Sequence, residues 1–586
     1  IVPLPETKEE GRRISEKPKE EPAPAVPLRV SPRHSILRNN KSVETVLLTT
    51  KLLSEDNCAV DGEETTTMES TTKKAFSSSS RSVPYKGLNN TKTATSHRCS
   101  KALVLLALTA GSLALLATIV SMWSEITSCE TCSTEVGLAD LLEEDEVLFD
   151  SETNLEDDNV CSESSSFILT ESIPLDVQYG ENATVHKPLY EAWTELLSVA
   201  SKSVHVASFY WSLTGEDIDV NTSSDVHGEH ILQQFVDMHS RNVSVFVASS
   251  IPSLSSNSTD LKVLQNKGAH VRKVNFGHLT QGVLHTKLWI VDMKHIYIGS
   301  ANMDWRSLTQ VKELGAVIYN CSCLAKDLYK IFQSYWDLGY RNATVPQPWP
   351  EQYSTSFNKD NPLLLNINGA PARVYISGSP PIFCPSGRTK DLDAIVSAIN
   401  EADKFINVAV MEYFPTTRFR RPHKYWPALD NALRRSAFER HVQIRILISC
   451  WQHSDPAMFP YLKSLSAVSY LPLNISVEIK LYIVPVGNHT DIPFARVNHN
   501  KYMVTDKLAY IGTSNWSEDY FNTTAGVGLV ISQTQQSLNS TRQTVQEQLK
   551  GVFDRDWNSK YAINLDELEH HPHCAFSEKA RPARGV

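Results

Sequence analysis

The sequence lacks any broad excess of positive charge. Its 56 lysines and arginines are outnumbered by 66 aspartates and glutamates, for a net charge of −10. Residues 1–101 carry 17 basic and 13 acidic groups, whereas residues 140–158 hold ten acidic groups and no basic one. Proteins that grip duplex nucleic acid present a broad basic face. The composition therefore argues against such a protein, and any contact with nucleic acid has to be short and local.

Recognisable metal ligands are also scarce. The chain has 10 cysteines, and Cys129 and Cys132 form a C-x-x-C pair. This pair lies beside a hydrophobic segment and has no matching set of ligands, so we do not assign a zinc or redox site to it. We expect neither a metal nor a cofactor.

Long hydrophobic runs are few, and the one that stands out extends from Ala102 to Trp123. As a helix it would span about 33 Å, enough to cross a bilayer. About a hundred residues precede it, which argues against a cleaved signal peptide. Arg98 and Lys101 lie before the run and Glu125 lies after it, so the positive-inside rule places the N-terminus in the cytosol. We predict a single-pass type II signal anchor; a buried core helix is the alternative.

Two features favour a lumenal location for the chain beyond this anchor. Ten sequons of the form N-x-S/T lie there, at Asn182, Asn221, Asn242, Asn257, Asn320, Asn342, Asn474, Asn488, Asn522 and Asn539. Asn515 heads another, which we expect to stay unmodified because it belongs to the motif described next. Eight of the cysteines also follow the anchor, and an oxidising lumen would pair many of them.

Two near-copies of one short pattern dominate the rest of the chain. Each reads H-x-K-x4-D and is followed by a turn of small residues that ends in Asn. The first copy consists of His285, Lys287, Asp292 and Asn302. The second copy consists of His499, Lys501, Asp506 and Asn515. A lone H-x-K on a strand usually means nothing, but this spacing is not expected to occur twice by chance.

The residue types of the repeated pattern suit a phosphodiester. Alternate residues of a strand face the same side, so the His and Lys of each copy would point together from predicted strands at 284–291 and 496–504. One His can attack phosphorus while the other protonates the leaving oxygen. The lysines and asparagines would stabilise the phosphoryl oxygens. Asp292 and Asp506 follow their His at an odd offset, so we expect a structural or orienting role for both.

The paired motifs resemble those of the phospholipase D superfamily, and their flanks resemble the animal phospholipases D three and four. The similar segments are 207–213, 299–313, 319–323, 384–389 and 496–505. The resemblance implies an endolysosomal exonuclease that trims single-stranded DNA and RNA from the five-prime end through a phosphohistidine. It also implies disulfides between Cys161 and Cys323 and between Cys450 and Cys574.

The two copies differ in one acidic residue. Glu313 follows Gly299 by fourteen residues, whereas the equivalent position after Gly512 is Gly526. Superfamily members often use a Glu here to orient a catalytic His. We therefore assign His285 as the nucleophile and His499 as the acid. The alternative is that Glu313 orients His499 across the interface, which leaves the reversed assignment open.

Matched strand patterns predict the fold. Residues 204–210 correspond to 405–411, and 242–248 correspond to 441–447, with amphipathic stretches between them. We predict an α/β protein with two similar halves sharing one active site. The predicted domains are a disordered cytoplasmic tail (1–101), a transmembrane signal anchor (102–123), an acidic lumenal stalk (124–165), an N-terminal phospholipase D-like half (166–370), a C-terminal half (371–574) and a tail (575–586).

The leading hypothesis is a lumenal, metal-independent five-prime exonuclease acting on a single strand with a free five-prime end. We expect it in the endoplasmic reticulum, Golgi or endolysosome, with cleavage of the stalk releasing a soluble form. The alternatives are a phospholipase D or transphosphatidylase acting on phospholipid, and a catalytically inactive adaptor. We leave open whether the protein forms a homodimer. Phe209, Tyr210, Trp211 and Trp305 are candidates for the mouth of the site, and the core is an equal alternative for each.

Overall fold

The computed structural model describes residues 164–251, 258–534, 543–571 and 574, all of which belong to one compact unit. No helix in these ranges is long and apolar enough to span a bilayer. The predicted cytoplasmic tail, the anchor at 102–123, the C-terminal tail and nearly all of the predicted stalk lie outside the described residues.

The described chain alternates strands and helices. The strands are β1 (Ser164–Ser172), β2 (Lys187–Pro188), β3 (Ser203–Ser208), β4 (Trp211–Ser212), β5 (Ser244–Ile251), β6 (His270–Asn275), β7 (Lys287–Val291), β8 (His295–Gly299), β9 (Met303–Asp304), β10 (Glu313–Tyr319), β11 (Leu363–Ile367), β12 (Ala370–Ser379), β13 (Phe405–Val410), β14 (Gln443–Ser449), β15 (Val477–Tyr482), β16 (Lys501–Thr505), β17 (Ala509–Gly512), β18 (Gly526–Gln533) and β19 (Ala562–Asn564). The α-helices are α1 (Leu189–Ser198), α2 (Val226–Asp237), α3 (Thr259–Asn266), α4 (Phe276–Leu279), α5 (Arg306–Thr309), α6 (Ser322–Asp337), α7 (Asp391–Glu401), α8 (Ala428–Arg440), α9 (Met458–Ser466), α10 (Glu518–Asn522) and α11 (Val545–Trp557).

The two halves have the same sheet topology. In the first half the strands lie in the order β6-β5-β3-β7-β8-β10-β1, with β6, β5 and β3 parallel and the remaining pairs antiparallel. In the second half the order β15-β14-β13-β16-β17-β18-β12 repeats both the sequence of elements and their directions. Apolar faces of both sheets are fully buried in extended clusters. The prediction of two similar α/β halves is therefore confirmed.

The predicted boundary between the halves, at residues 370 and 371, needs correction. Strands β11 and β12 form an antiparallel hairpin, and β12 pairs with β18 of the second sheet. The turn is Asn368-Gly369, with φ of 54° and 82°, which suits a tight hairpin because both residues tolerate positive φ. A cut at 370 divides this hairpin, and β11 also pairs in parallel with β1 of the first half, so β11 links the two sheets. Residues 164 and 165, which the prediction assigned to the stalk, belong to β1.

A buried ionic cluster ties the beginning of the described chain to its last long helix. Arg555 donates to both carboxylate oxygens of Glu171, at 2.7 and 2.6 Å. The Nζ of Lys312 lies 3.1 Å from Asp556 and 3.6 Å from Glu171. Burial alone would raise the pKa of Glu171, but the hydrogen bonds from Arg555 and the charge of Lys312 hold it at about 2. The cluster fixes Lys312, and Lys312 is the chain neighbour of Glu313.

The disulfide predicted between Cys450 and Cys574 is present. Cys323 is also disulfide-bonded, and Cys161, its expected partner, lies outside the described residues.

Candidate active site

Backbone pairing between the halves brings the two motifs together. The amide of His285 donates to the carbonyl of Ala525 at 3.0 Å, and the amide of His499 donates to the carbonyl of Lys312 at 2.8 Å. Each His thus precedes its strand instead of lying within it: β7 begins at Lys287 and β16 begins at Lys501. The predicted strands at 284–291 and 496–504 began too early, because their first residues pair with the opposite half.

The imidazole of His285 is held in one tautomer. Its Nδ1 lies 2.9 Å from the carbonyl oxygen of Thr513, and a carbonyl can only accept, so Nδ1 carries the proton. In the neutral ring Nε2 then has a free lone pair. Burial lowers the pKa of His285 well below its usual value, and the nearby charges of Lys287 and Lys501 lower it further. The structure therefore keeps His285 neutral, as a nucleophile requires.

His499 has a different partner. Its Nδ1 lies 2.9 and 3.0 Å from the two carboxylate oxygens of Glu313, which belongs to the first half. Ser300 and Ser307 each donate to this buried carboxylate, at 2.5 and 3.0 Å. Burial lowers the pKa of His499, but Glu313 opposes this effect by stabilising the imidazolium. Of the two imidazoles, His499 is the better suited to hold and donate a proton.

These contacts settle the partner of Glu313. The hypothesis that it supports His285 was wrong, and the alternative in which it orients His499 across the interface is what the structure has. The equivalent place beside His285 holds Gly526, where a Cβ would lie 2.4 Å from the Oγ of Ser514 and 2.9 Å from the Oγ of Ser379, so a carboxylate there would require both serines to move. The carbonyl of Thr513 takes that role instead, a contact that the motif spacing did not indicate.

Lys287 and Lys501 form a pair of buried amines. The Nζ of Lys287 donates to the carbonyl of His285, and that of Lys501 to the carbonyl of His499, both at 2.6 Å. Burial lowers the pKa of each, and the charge of Lys501 also lowers the pKa of Lys287, while that of Lys501 is about 7. An anion between them would restore their protonation, since opposite charges favour the charged form. The pair is thus suited to a phosphate.

Asn302 and Asn515 are buried with 7 % and 3 % of their surface exposed. Within the part of the chain that the structure describes, neither Oδ1 has a hydrogen-bond partner. The Nδ2 of Asn515 donates to the hydroxyl of Tyr520 at 3.1 Å. The burial of Asn515 leaves its sequon inaccessible to a glycan.

Asp292 and Asp506 belong to the motifs of the catalytic residues but lie away from this chemistry, in the structural role that their offset predicts. Asp292 accepts from the backbone amides of residues 201–203 at 2.8 to 2.9 Å, and Asp506 accepts from those of Asp403 and Lys404, both at 3.0 Å. The offset of seven residues places each Asp just beyond the far end of its strand. There it caps the loop that enters β3 or β13.

Sequence reasoning missed two residues of the site, Tyr520 and Glu412. Tyr520 presents its ring 5.2 Å from that of His285. Burial raises the pKa of Glu412, against the charges of Arg418 and Lys501. Glu412 follows β13 and Tyr520 follows the second Asn turn. These positions indicate a place in the site only when the two halves are aligned.

Of the four aromatic residues proposed for the mouth, only Phe209 is partly exposed. Its ring lies 5.4 Å from that of His285. The other three, Tyr210, Trp211 and Trp305, are buried in the core. Across the described ranges, no cluster of three or more His, Cys, Asp or Glu side chains is arranged to hold a metal ion.

Two matched α/β halves that each supply one His and one Lys to a common anion site define an enzyme of the phospholipase D type. Residues 180–487 match the family model described as "PLD3/4, PLD-like domain". The chain belongs to this PLD3/4 family and is an enzyme of the phosphodiesterase class.

Curated relatives extend this match over most of their length. The chain is 56 % identical to the human 5'-3' exonuclease PLD4 over 404 residues, which cover 69 % of this chain and 80 % of the relative. It is 50 % identical to the 5'-3' exonuclease PLD3 of Xenopus laevis over 419 residues, covering 71 % and 85 %. It is 47 % identical to the human 5'-3' exonuclease PLD3 over 407 residues, covering 69 % and 82 %.

Proposed function

We propose that this protein is a five-prime exonuclease that degrades single-stranded nucleic acid through a phosphohistidine. The observation that carries the proposal is the unequal support of the two imidazoles, by the Thr513 carbonyl on His285 and by the Glu313 carboxylate on His499. His285 stays the proposed nucleophile although Glu313 contacts His499, because the assignment now rests on protonation: the ring of His285 is kept neutral and His499 can hold a proton, as two-step phosphoryl transfer requires. The names of the relatives supply the substrate and the direction.

In the first step Nε2 of His285 attacks the phosphorus between the first and second nucleotides. The N–P bond forms, the bond to the five-prime oxygen of the second nucleotide breaks, and His499 gives that oxygen its proton. In the second step water attacks the phosphorus, His499 takes the proton of the water and the N–P bond breaks. Lys287 and Lys501 neutralise the phosphoryl oxygens throughout.

We expect the strand to enter with a free five-prime hydroxyl, and this expectation decides which bond breaks. Breaking the bond to the five-prime oxygen leaves a new five-prime hydroxyl on the shortened strand, so the product is the next substrate. Each cycle then releases a nucleotide with a three-prime phosphate. Duplex ends have to fray first, at a cost of a few kcal/mol per step.

We expect the purified protein to shorten a three-prime-labelled single strand that has a five-prime hydroxyl. It should release mononucleotides that carry a three-prime phosphate, and it should do so in the presence of excess chelator. Blunt duplex is expected to react slowly, and a single-stranded circle not at all. The pH optimum should lie on the mildly acidic side, because His285 must be neutral and His499 protonated.

The same protein should be incubated in parallel with phosphatidylglycerol. Rapid cutting of the circle would show an endonuclease. Headgroup exchange without any nuclease activity would replace the proposal with the lipid alternative. Activity that vanishes with chelator and returns only with a divalent metal would overturn the mechanism.

We further propose a lumenal location with a cytosolic N-terminus. The support is the predicted anchor at 102–123 together with the sequons. In the described ranges eight sequon asparagines outside the motif are exposed: Asn182, Asn221, Asn242, Asn320, Asn342, Asn474, Asn488 and Asn522. Sequons in a lumenal domain need such surface positions to carry glycans.

In microsomes from cells expressing the full chain, we expect the catalytic part to resist added protease until detergent is present. An N-glycosidase should lower its mass by several glycans. A catalytic part digested without detergent, or unchanged by the glycosidase, would place it on the cytosolic side. A shorter form in the lysosomal fraction would support cleavage of the stalk.

A further inference from the structure

One edge of the active site is formed by a loop that the mechanism does not use. We call residues 416–425, which follow the carboxyl end of β13, the rim loop. Its base is closed by a hydrogen bond of 2.9 Å from the amide of Thr417 to the carbonyl of Lys424. Its tip is attached to α10, where the amides of Arg418 and Phe419 donate to the carboxylate of Asp519. Hydrogen bonds thus hold the rim loop in a defined conformation.

The rim loop borders the reacting groups. The ring of Phe419 lies 6.0 Å from that of Tyr520, and the ring of Tyr520 lies 5.2 Å from that of His285. Arg418 is paired with Glu412 and Asp455, at 3.9 and 2.9 Å. A substrate that leaves the catalytic imidazoles on this side has to pass over the loop.

The loop combines unpaired positive charge with exposed aromatic rings. Within the described ranges, no ion pair includes Arg420, Arg421 or Lys424. Arg421 and Lys424 are exposed. Phe419 and Tyr425 expose 38 % and 70 % of their surfaces. Basic groups interleaved with aromatic rings are the combination with which proteins bind single strands.

The corresponding segment of the first half has the opposite charge. Residues 214–225 follow β3 as the rim loop follows β13, and they contain Glu216, Asp217, Asp219 and Asp225 but no Lys or Arg. Of these two corresponding segments, only the rim loop carries positive charge that attracts a polyanion.

We infer that the rim loop binds the nucleotides that follow the scissile phosphate, with Arg420, Arg421 and Lys424 on the backbone and Phe419 and Tyr425 against bases. This inference rests on the proposed nuclease function. It predicts that a long strand is a better substrate than a dinucleotide, because a dinucleotide has no phosphate beyond the one that is cut.

The test compares a triple variant, Arg420→Ala with Arg421→Ala and Lys424→Ala, with the wild-type protein on a twenty-nucleotide strand and on a dinucleotide. We expect kcat/KM for the long strand to fall at least about tenfold more than that for the dinucleotide, mainly through KM. The slope of log KM against log salt should also decrease by about 2, at roughly 0.7 per lost phosphate contact on a single strand.

A matched control removes the same charge from the other end of the parallel strands, with Lys202→Ala, Lys267→Ala and Lys404→Ala. These exposed lysines lie at or near the starts of β3, β6 and β13, and their loss should not change the ratio between the two substrates. An equal loss on both substrates in the triple variant, or no loss on either, would overturn the inference while leaving the nuclease function intact. Failure of the wild-type protein to cut either strand would refute the proposed function itself.

A second arm measures binding to anionic phospholipid vesicles. Loss of vesicle binding in the triple variant, with the preference for long strands unchanged, would overturn the inference and assign the rim loop to a membrane.

Discussion

Replacing His285 or His499 by alanine is expected to lower kcat on single-stranded DNA by at least about a thousandfold, because nucleophile and acid act as one unit. The two residues lie on segments that pair with opposite halves, so neither half can supply the chemistry alone. The measurement is single-turnover cleavage by each variant after its folding has been verified by thermal unfolding. His230→Ala removes an exposed imidazole on α2 and should retain full activity.

A substrate with an activated leaving group separates the two roles. A nucleoside three-prime phosphodiester of p-nitrophenol does not need its leaving oxygen protonated, so the His499 variant should recover most of its bond-breaking rate, whereas the His285 variant should not. Trapped phosphoenzyme should then carry phosphate on His285. Recovery in the His285 variant with phosphate on His499 would reverse the assignment. Substantial turnover of ordinary DNA by either variant would disprove a shared site.

Glu313→Gln is expected to lower kcat/KM by about a hundredfold, the lower range for loss of an effective general acid. The amide keeps the shape of the side chain but loses the charge that raises the pKa of His499. His499 then holds its proton only at lower pH. The alkaline limb of the pH profile should therefore move to lower pH, while the acidic limb, set by His285, should stay in place.

The profile of kcat/KM against pH, measured from acidic to neutral pH, checks both statements. Glu439→Gln, a substitution at an exposed carboxylate on α8, is the matched control and should leave rate and profile unchanged. A reduced rate with an unshifted alkaline limb would mean that Glu313 only supports the local structure. A shift of the acidic limb instead would show that the carboxylate acts on the nucleophile.

Local patterns were sufficient to predict the two-fold architecture. The repeat of His285 and Lys287 at His499 and Lys501 is a matter of spacing, and spacing survives in the sequence whatever the fold. Short apolar runs likewise indicated β3 and β13, because strands that are buried on both faces are hydrophobic almost throughout. The roles of Asp292 and Asp506 also followed from their offset, because each follows directly after a short strand that begins near its His.

Contacts between the halves were beyond the reach of such patterns. Glu313 and His499 are 186 residues apart, and nothing in the spacing of either motif says which imidazole the carboxylate meets. The residues at the mouth could not be chosen for a similar reason. Phe209 and Trp211 are neighbours on one segment, but Trp211 is buried in the core of the first half, whereas the ring of Phe209 lies beside that of His285.

The sequence by itself determined the residue types of the site, its duplication and the family. The tertiary structure alone decided which half supports which histidine, where the halves divide and which edge is basic. Those properties depend on segments that are distant in the chain, and only the folded backbone brings them within hydrogen-bonding distance.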